Sequence, residues 1–419
     1  MRGAIDHAAW RLALALAGLN VLSYVDRQLV VTLAPLLMAD LGLTRAEIGL
    51  LVGASFVAAY AALILALGAL ADRVSRTRLI AAGLLVWSVA TALTVFAHNL
   101  PQLIVLRMLV GVGEAALPAT ALAMLADRFP GSRLGLANSV FYAGIPIGFA
   151  ASFGLAGGLG PWLGWRMCFG VLGVLGLLAV AGALGLSDPP RRAGQPPPER
   201  FRAVVRSFGS ILARRTRLRL VILGGALLAY MSSSSQHAIT WLVQERGVSY
   251  PRAALLAGVM VALGGLVGTV AIGAIADRWV RSRLPLGRPG GLAAMGAVAV
   301  ASSAAFYVLP VASLAFLPCW FVSQSFMLGW FGPMTAEMVE QAPPELRATT
   351  AGFGLMVVNV LGVATGPWIT GLIGDHVSLS RGLLVSLAVG GAGLVLLAWA
   401  GTRPSADGPI EGAAVGSPG

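Results

Sequence analysis

The sequence predicts an all-α membrane protein whose twelve transmembrane helices form two related bundles of six. Three observations lead there. The 419 residues are 57% hydrophobic and 11% charged, with mean hydropathy +0.84, whereas soluble domains carry about 25% charged residues. Uncharged apolar runs follow one another along the chain, each near the roughly 20 residues that cross a bilayer core. A twelve-residue stretch also recurs: residues 68–79 read GALADRVSRTRL and residues 273–284 read GAIADRWVRSRL, identical at eight positions at an offset of 205. Two parallel repeats related by an axis along the membrane normal produce such an echo.

The apolar runs and their breaks place the spans at 12–38, 47–70, 79–97, 101–126, 134–158, 163–186, 219–243, 253–276, 291–309, 311–338, 348–374 and 382–400. The first run is too long for the core of a cleavable signal and carries Asp26 and Arg27. Most of the 54 glycines fall inside these runs, where small residues let neighbouring helices approach closely. With the N-terminus inside, 22 arginines fall on inner segments and five (Arg45, Arg166, Arg246, Arg252 and Arg381) on outer ones. That bias places both termini in the cytoplasm, and the protein is expected in the inner membrane of a bacterium. The segments are therefore 1–186, a six-helix bundle; 187–218, a cytoplasmic linker; 219–401, a second six-helix bundle; and 402–419, a flexible tail. The linker opens on Pro189-Pro190 and Pro196-Pro197-Pro198, an extended stretch. After it, Phe201, Val204, Val205, Phe208, Ile211 and Leu212 share one helical face, with Arg202, Arg206 and Arg214 turned to headgroups. This pattern describes a helix lying on the membrane surface.

The composition removes several chemistries. All 29 basic residues are arginine, so neither a phosphate-binding GxxxxGK[ST] loop nor a lysine Schiff base can form. Cys168 and Cys319 sit in apolar runs, as reduced thiols do, and the four histidines are scattered without metal-ligand spacing. No metal, no cofactor and no enzyme activity are expected. The formal charge of +12 lies in short inter-helix loops, as a topology signal rather than a nucleic-acid surface. The expected partners are the lipid bilayer and a small amphiphilic or anionic substrate, with the protein acting as a monomer.

The residues Gly68-x-Leu70-Ala71-Asp72-Arg73-x-x-Arg76, with their echo at Gly273–Arg283, resemble the helix 2–3 loop motif of the major facilitator superfamily and its second-half copy. A narrower likeness, to the Spinster branch, rests on Ser23-Tyr24-Val25-Asp26-Arg27, on Arg107 through Gly111-Val-Gly113-Glu114-Ala115, on Phe141 through Gly148, and on Trp165-Arg166. The resemblance implies two six-helix bundles around a central cavity opened alternately to each side, and a lysophospholipid or sphingoid-type amphiphile as substrate. It associates Asp26 and Glu114 with proton coupling and Arg27 with the substrate headgroup. A small organic anion moved by symport is the alternative, and a channel or scramblase a further one that counterflow of substrate would separate from a carrier.

Charges deep inside the membrane usually face a wet cavity or the bundle interior, and this chain holds four away from its span ends: Asp26, Arg27, Arg107 and Glu114. At a rise of about 1.5 Å per residue, Asp26 stands about 21 Å and Glu114 about 20 Å from the inner ends of their spans, with Arg107 about 10 Å further out. Carboxyl groups at one depth beside permanent cations can exchange protons with a cavity, while the guanidinium groups of Arg27 and Arg107 can hold an anion. The structural alternative, a static network joining helices 1 and 4, would bury four charges for packing alone. In the second half, Ser234, Gln236 and His237 in the seventh span, Gln324 and Trp330 in the tenth and Asn359 in the eleventh are candidate substrate contacts, with Tyr142 in the fifth. Helix–helix hydrogen bonding is their equal alternative. Asp72 and Asp277, with Arg73, Arg76, Arg278 and Arg281, are expected to gate the cytoplasmic side, an aspartate meeting a helix N-terminus across the seam.

Overall fold

The computed structural model describes residues 7–71, 73–129, 131–188, 201–342 and 346–404. Among these residues the chain crosses from face to face twelve times. Helix α1 is His7–Leu41; α2 is Arg45–Val52 and Ala54–Ala71, offset at Gly53; α3 is Arg76–Phe96 and α4 is Leu100–Arg128. Helix α5 comprises Gly131–Tyr142 and residues 144–163, and α6 is 165–184. Gly164 separates these two rods at φ +73°, a left-handed conformation that glycine adopts without a Cβ clash. Helices α7 to α9 are Thr216–Gln244, Tyr250–Arg281 and Gly287–Val308. Helix α10 (Phe316–Gly329 and Phe331–Glu340) and α11 (Arg347–Val358, a π turn at Asn359–Val363, then Gly366–His376) are each broken midway. Helix α12 is Leu379–Gly401.

Helix starts follow from local chemistry. Thr44 and Glu47 form a capping box at α2, and the side chains of Ser75, Asn99 and Ser378 accept N–H groups from the first turns of α3, α4 and α12. The first six helices share a core that includes Leu16, Leu84 and Met124, and the last six one that includes Trp241, Phe306 and Trp320. The linker helix, Phe201–Arg214, rests on the second half: Phe208 stacks on Phe353 of α11 at 5.3 Å, and Ile211 is buried. These two apolar residues are thus covered by protein, where the sequence placed them on a face turned to the membrane. Residues 189–200 of the linker and 405–419 of the tail lie outside the described residues.

Among the described residues the halves meet at one face and on towards the middle. At the face opposite the ends His7 and Gly401, Asp375 of α11 accepts hydrogen bonds from the N–H groups of Arg45 (2.9 Å) and Ala46 (2.8 Å). Those are among the free N–H groups of the first turn of α2, where a carboxylate also meets the positive helix end. The Arg45 side chain reaches Gln244 Oε1 (3.0 Å) and the carbonyl of Gly374. A Cβ on Gly49 would stand 2.2 Å from the carbonyl oxygen of Pro367, so only glycine allows this contact. Nearer the middle, Tyr250 donates to the Ala156 carbonyl (3.1 Å), and Gly258 lies against Phe153. Towards the terminal face Leu136, Tyr142, Val270 and Ile275 are exposed. The molecule is closed at the far face and parted at the face that carries its ends.

Gly49→Val should therefore oppose the closed seam and nothing else. Overpacking costs about 1–3 kcal/mol, which shifts the ratio of the two forms by about 5- to 150-fold. Spin labels at positions 98 and 314, in loops of the far face, are expected to move apart in the variant, while labels at 74 and 283 draw together. Unchanged distance distributions would contradict the seam described here.

Candidate functional site

The four intramembrane charges lie between α1 and α4 and pair crosswise. Asp26 is held by Arg107, whose Nη1 donates to Oδ1 at 3.1 Å, and by the Thr91 hydroxyl of α3, which donates to Oδ2. Glu114 Oε2 accepts from Arg27 Nε at 2.5 Å and from the Ser23 hydroxyl at 2.8 Å. Its other oxygen, Oε1, is buried with no hydrogen-bond partner among the described residues. Three side chains are almost sealed, Asp26 at 2% exposure, Arg107 at 4% and Glu114 at 0%, whereas Arg27 retains 20%. Asp26 and Arg27 are consecutive and so project about 100° apart on α1. Both nevertheless meet α4, because Arg107 and Glu114 lie two turns apart on one face of that helix.

Small residues bring the backbones close enough for this. A Cβ on Gly113 would be 2.5 Å from the Gly83 carbonyl of α3, and one on Gly111 would be 2.7 Å from the Phe56 carbonyl of α2. A Cβ on Gly148 of α5 would be 2.7 Å from the Val21 carbonyl of α1. The Arg27 guanidinium then enters an aromatic cage: its carbon Cζ is 4.7 Å from the Phe56 ring centre and 4.8 Å from those of Tyr24 and Tyr60. Such contacts steady a cation without neutralising it. The sequence reading missed Thr91, Ser23 and the cage. Phe56 and Tyr60, four apart on one helical face, were the available signal; a lone threonine in an apolar span gave none.

Beside the cluster lies a central cavity of about 370 Å³, lined from both halves. Tyr24 and Gln28 of α1 border it. Ser232, Ser235 and Gln236 of α7 and Gln324 of α10 supply polar groups, and Ile145, Phe149, Phe153, Met327 and Phe331 build an apolar wall. Of the expected contacts, Gln236, Gln324 and Trp330 line this cavity, and Trp330 Nε1 donates to the Ser232 hydroxyl at 3.0 Å. Ser234, His237 and Asn359 are engaged elsewhere. The Ser234 hydroxyl bonds to the Tyr230 carbonyl and to Thr370, His237 Nε2 to the Pro367 carbonyl at 2.7 Å, and Asn359 to the Leu355 carbonyl. Tyr142 is half-exposed on α5 and packs edge-on against Phe141.

Of the residues expected to gate, Arg76 and Asp277 are paired within their own halves. Asp72 lies outside the described residues. Arg73, Arg278 and Arg281 are exposed. Arg76 is buried against Asp127 at 2.5 Å, tying α3 to α4. Asp277 is 4.0 Å from Arg288, which is 2.6 Å from Glu340 of α10. Both halves thus join their third and fourth helices by an arginine–carboxylate pair. At the far face Asp375 makes a contact of the same kind, a carboxylate against a helix N-terminus across the seam.

A family profile described as Major Facilitator Superfamily matches residues 16–367. The chain belongs to that superfamily of transporters. It is 27% identical to an MFS-type efflux pump of Mycolicibacterium smegmatis over 403 residues, covering 94% of this chain and 92% of that one. To human protein spinster homolog 1 it is 27% identical over 390 residues, covering 85% and 71%. Among solved structures it is similar to a bacterial homolog of the human lysosomal transporter Spinster in an inward-facing, unoccupied conformation. There the TM-score is 0.83 at 20% identity, over 95% of this chain and 98% of that one. The protein is accordingly a multi-pass integral membrane protein of the major facilitator fold, resembling Spinster.

The crosswise pairing has a thermodynamic consequence. Asp26→Ala leaves Arg107 buried and unmatched, which costs about 3–5 kcal/mol, whereas Asp26→Asn keeps an oxygen acceptor in place. The melting temperature in detergent should fall furthest for Asp26→Ala, less for Asp26→Asn, and recover when Asp26→Ala is combined with Arg107→Met. Equal losses in all three would rule out the pair.

Proposed function

We propose that this transporter is proton-coupled, works by alternating access, and moves a single-chain amphiphile of lysophospholipid or sphingoid type. The observation that carries the proposal is the cluster of two buried carboxylates, crosswise paired to two arginines, beside a cavity lined by both polar and apolar side chains. Four charges in a low-dielectric interior add little to stability over apolar packing, whereas a carboxylate whose partner can be exchanged is a proton carrier. The apolar wall suits a hydrocarbon tail, and Gln236, Gln324 and Ser232 suit a head. The arginine bias supports a bacterial inner membrane location with both termini cytoplasmic; in that orientation the structure is open to the cytoplasm. The site is read as carrying transport, with the proton as coupling ion and no catalysis.

Proteoliposome flux tests this. With a pH gradient imposed, the wild type should accumulate a labelled lysophospholipid. Asp26→Asn and Glu114→Gln should each lose gradient-driven accumulation, at least tenfold, while keeping exchange of labelled for unlabelled substrate. Full gradient-driven transport in both variants would overturn proton coupling. A compact organic anion transported in place of the lipid would favour the small-anion reading, and flux without trans-stimulation would indicate a channel.

A further inference from the structure

We infer that three glutamines facing the central cavity, Gln28, Gln236 and Gln324, select the substrate by its neutral hydrogen-bonding groups, and that the preferred amphiphile carries a hydroxyl-bearing head of the glycerol kind. This rests on the reading that the cavity takes an amphiphile, and adds to it what the head must carry.

The uncommitted hydrogen-bonding capacity of the cavity lies in these amides. Its serines are already engaged. The Ser232 hydroxyl accepts from Trp330 Nε1 at 3.0 Å, Ser233 donates to the Tyr230 carbonyl at 3.1 Å, and Ser235 donates to the Ser232 carbonyl at 2.6 Å. The side-chain amides of Gln28, Gln236 and Gln324 make no hydrogen bond among the described residues, yet all three line the cavity. Gln28 is only 8% exposed and Gln324 9%, so protein encloses each on every side but the cavity. Buried polar groups left unpaired are rare in folded proteins, and a cluster of them facing one cavity points to a ligand that completes them.

The packing places the amides on three helices from both halves. Gln28 follows Arg27 on α1 and projects about 100° further round that helix, away from the ion pairs. Gln236 sits in the 3-10 turn Ser235–His237 that interrupts α7. Gln324 is on the first rod of α10, held close to α8, where a Cβ on Gly264 would stand 3.0 Å from the Gln324 Cβ.

The chemistry of the amide selects its partner. Each primary amide offers two N–H donors and a carbonyl oxygen with two lone pairs. A hydroxyl both donates and accepts, so a vicinal diol can satisfy the two ends of an amide at once. A phosphate diester only accepts, and a trimethylammonium group does neither; both leave amide atoms unpaired. Among the described residues that line the cavity none is charged, which leaves hydrogen bonding to discriminate heads there.

The probes are lysophosphatidylglycerol and lysophosphatidylpropanol of one acyl chain. They carry the same phosphodiester charge and differ only in the two hydroxyls of the terminal head. Affinity is measured on purified protein in one detergent by tryptophan fluorescence, since Trp320 and Trp330 line the cavity. The wild type should bind the glycerol head about tenfold more tightly, the scale of two net hydrogen bonds. Gln28→Met, Gln236→Met and Gln324→Met keep the side-chain length and remove the amide. Each should weaken lysophosphatidylglycerol severalfold while leaving lysophosphatidylpropanol equal or tighter. Equal affinities of the two lipids in the wild type would overturn the inference. So would variants that lose both lipids alike, as a packing role predicts, or that all keep the wild-type preference. Binding of neither lipid would overturn the amphiphile reading itself, and this inference with it.

Discussion

A charge cannot stand unmatched in the interior of a membrane helix bundle, and the ion pairs joining α1 to α4 meet that constraint for four charges at once. Asp26–Arg107 is sealed, while Arg27–Glu114 has an edge open to solvent. The difference follows from surroundings. Thr91 and Arg107 together occupy both Asp26 oxygens, and the Arg107 side chain is almost wholly enclosed. Arg27 instead projects among three aromatic rings that hold its cation by their faces. One pair fastens two helices.

The remainder of the fold serves to hold these pairs at close range and to bring the second half against them. Gly83, Gly111 and Gly113 let α2, α3 and α4 approach to backbone contact, which transmembrane packing favours where no hydrophobic drive exists between helices. The same device closes the far face, where Gly49 fits under the Pro367 carbonyl and Asp375 meets the first turn of α2. One contact is polar and the other steric.

The helical spans, the repeat, the superfamily and the four membrane charges were all legible, because each is written in hydropathy, identity or a charge placed where charges are rare. Partner assignment was not. A rise per residue locates a Cα, but Arg107 and Asp26 meet although their backbones were placed about 10 Å apart in depth, since a long guanidinium side chain reaches along the helix. In the seventh span, Ser232 borders the cavity while Ser234 turns to Tyr230 and Thr370. Serines two apart differ mainly in azimuth, and that rotation is set by how α7 packs on Gly362 and Gly366 of α11. Asp375 carried no sequence signal at all, for its contact exists only between halves in this conformation.

The central proposal is that the buried carboxyl groups of Asp26 and Glu114 carry the coupled proton. Infrared difference spectroscopy, recorded as an amphiphile is added to reconstituted protein, follows this through the C=O stretch of a protonated carboxylic acid. That band should change on binding in the wild type, and the change should be diminished in Asp26→Asn and in Glu114→Gln. A wild-type band that does not change, or a change that survives in full in both variants, would contradict the account.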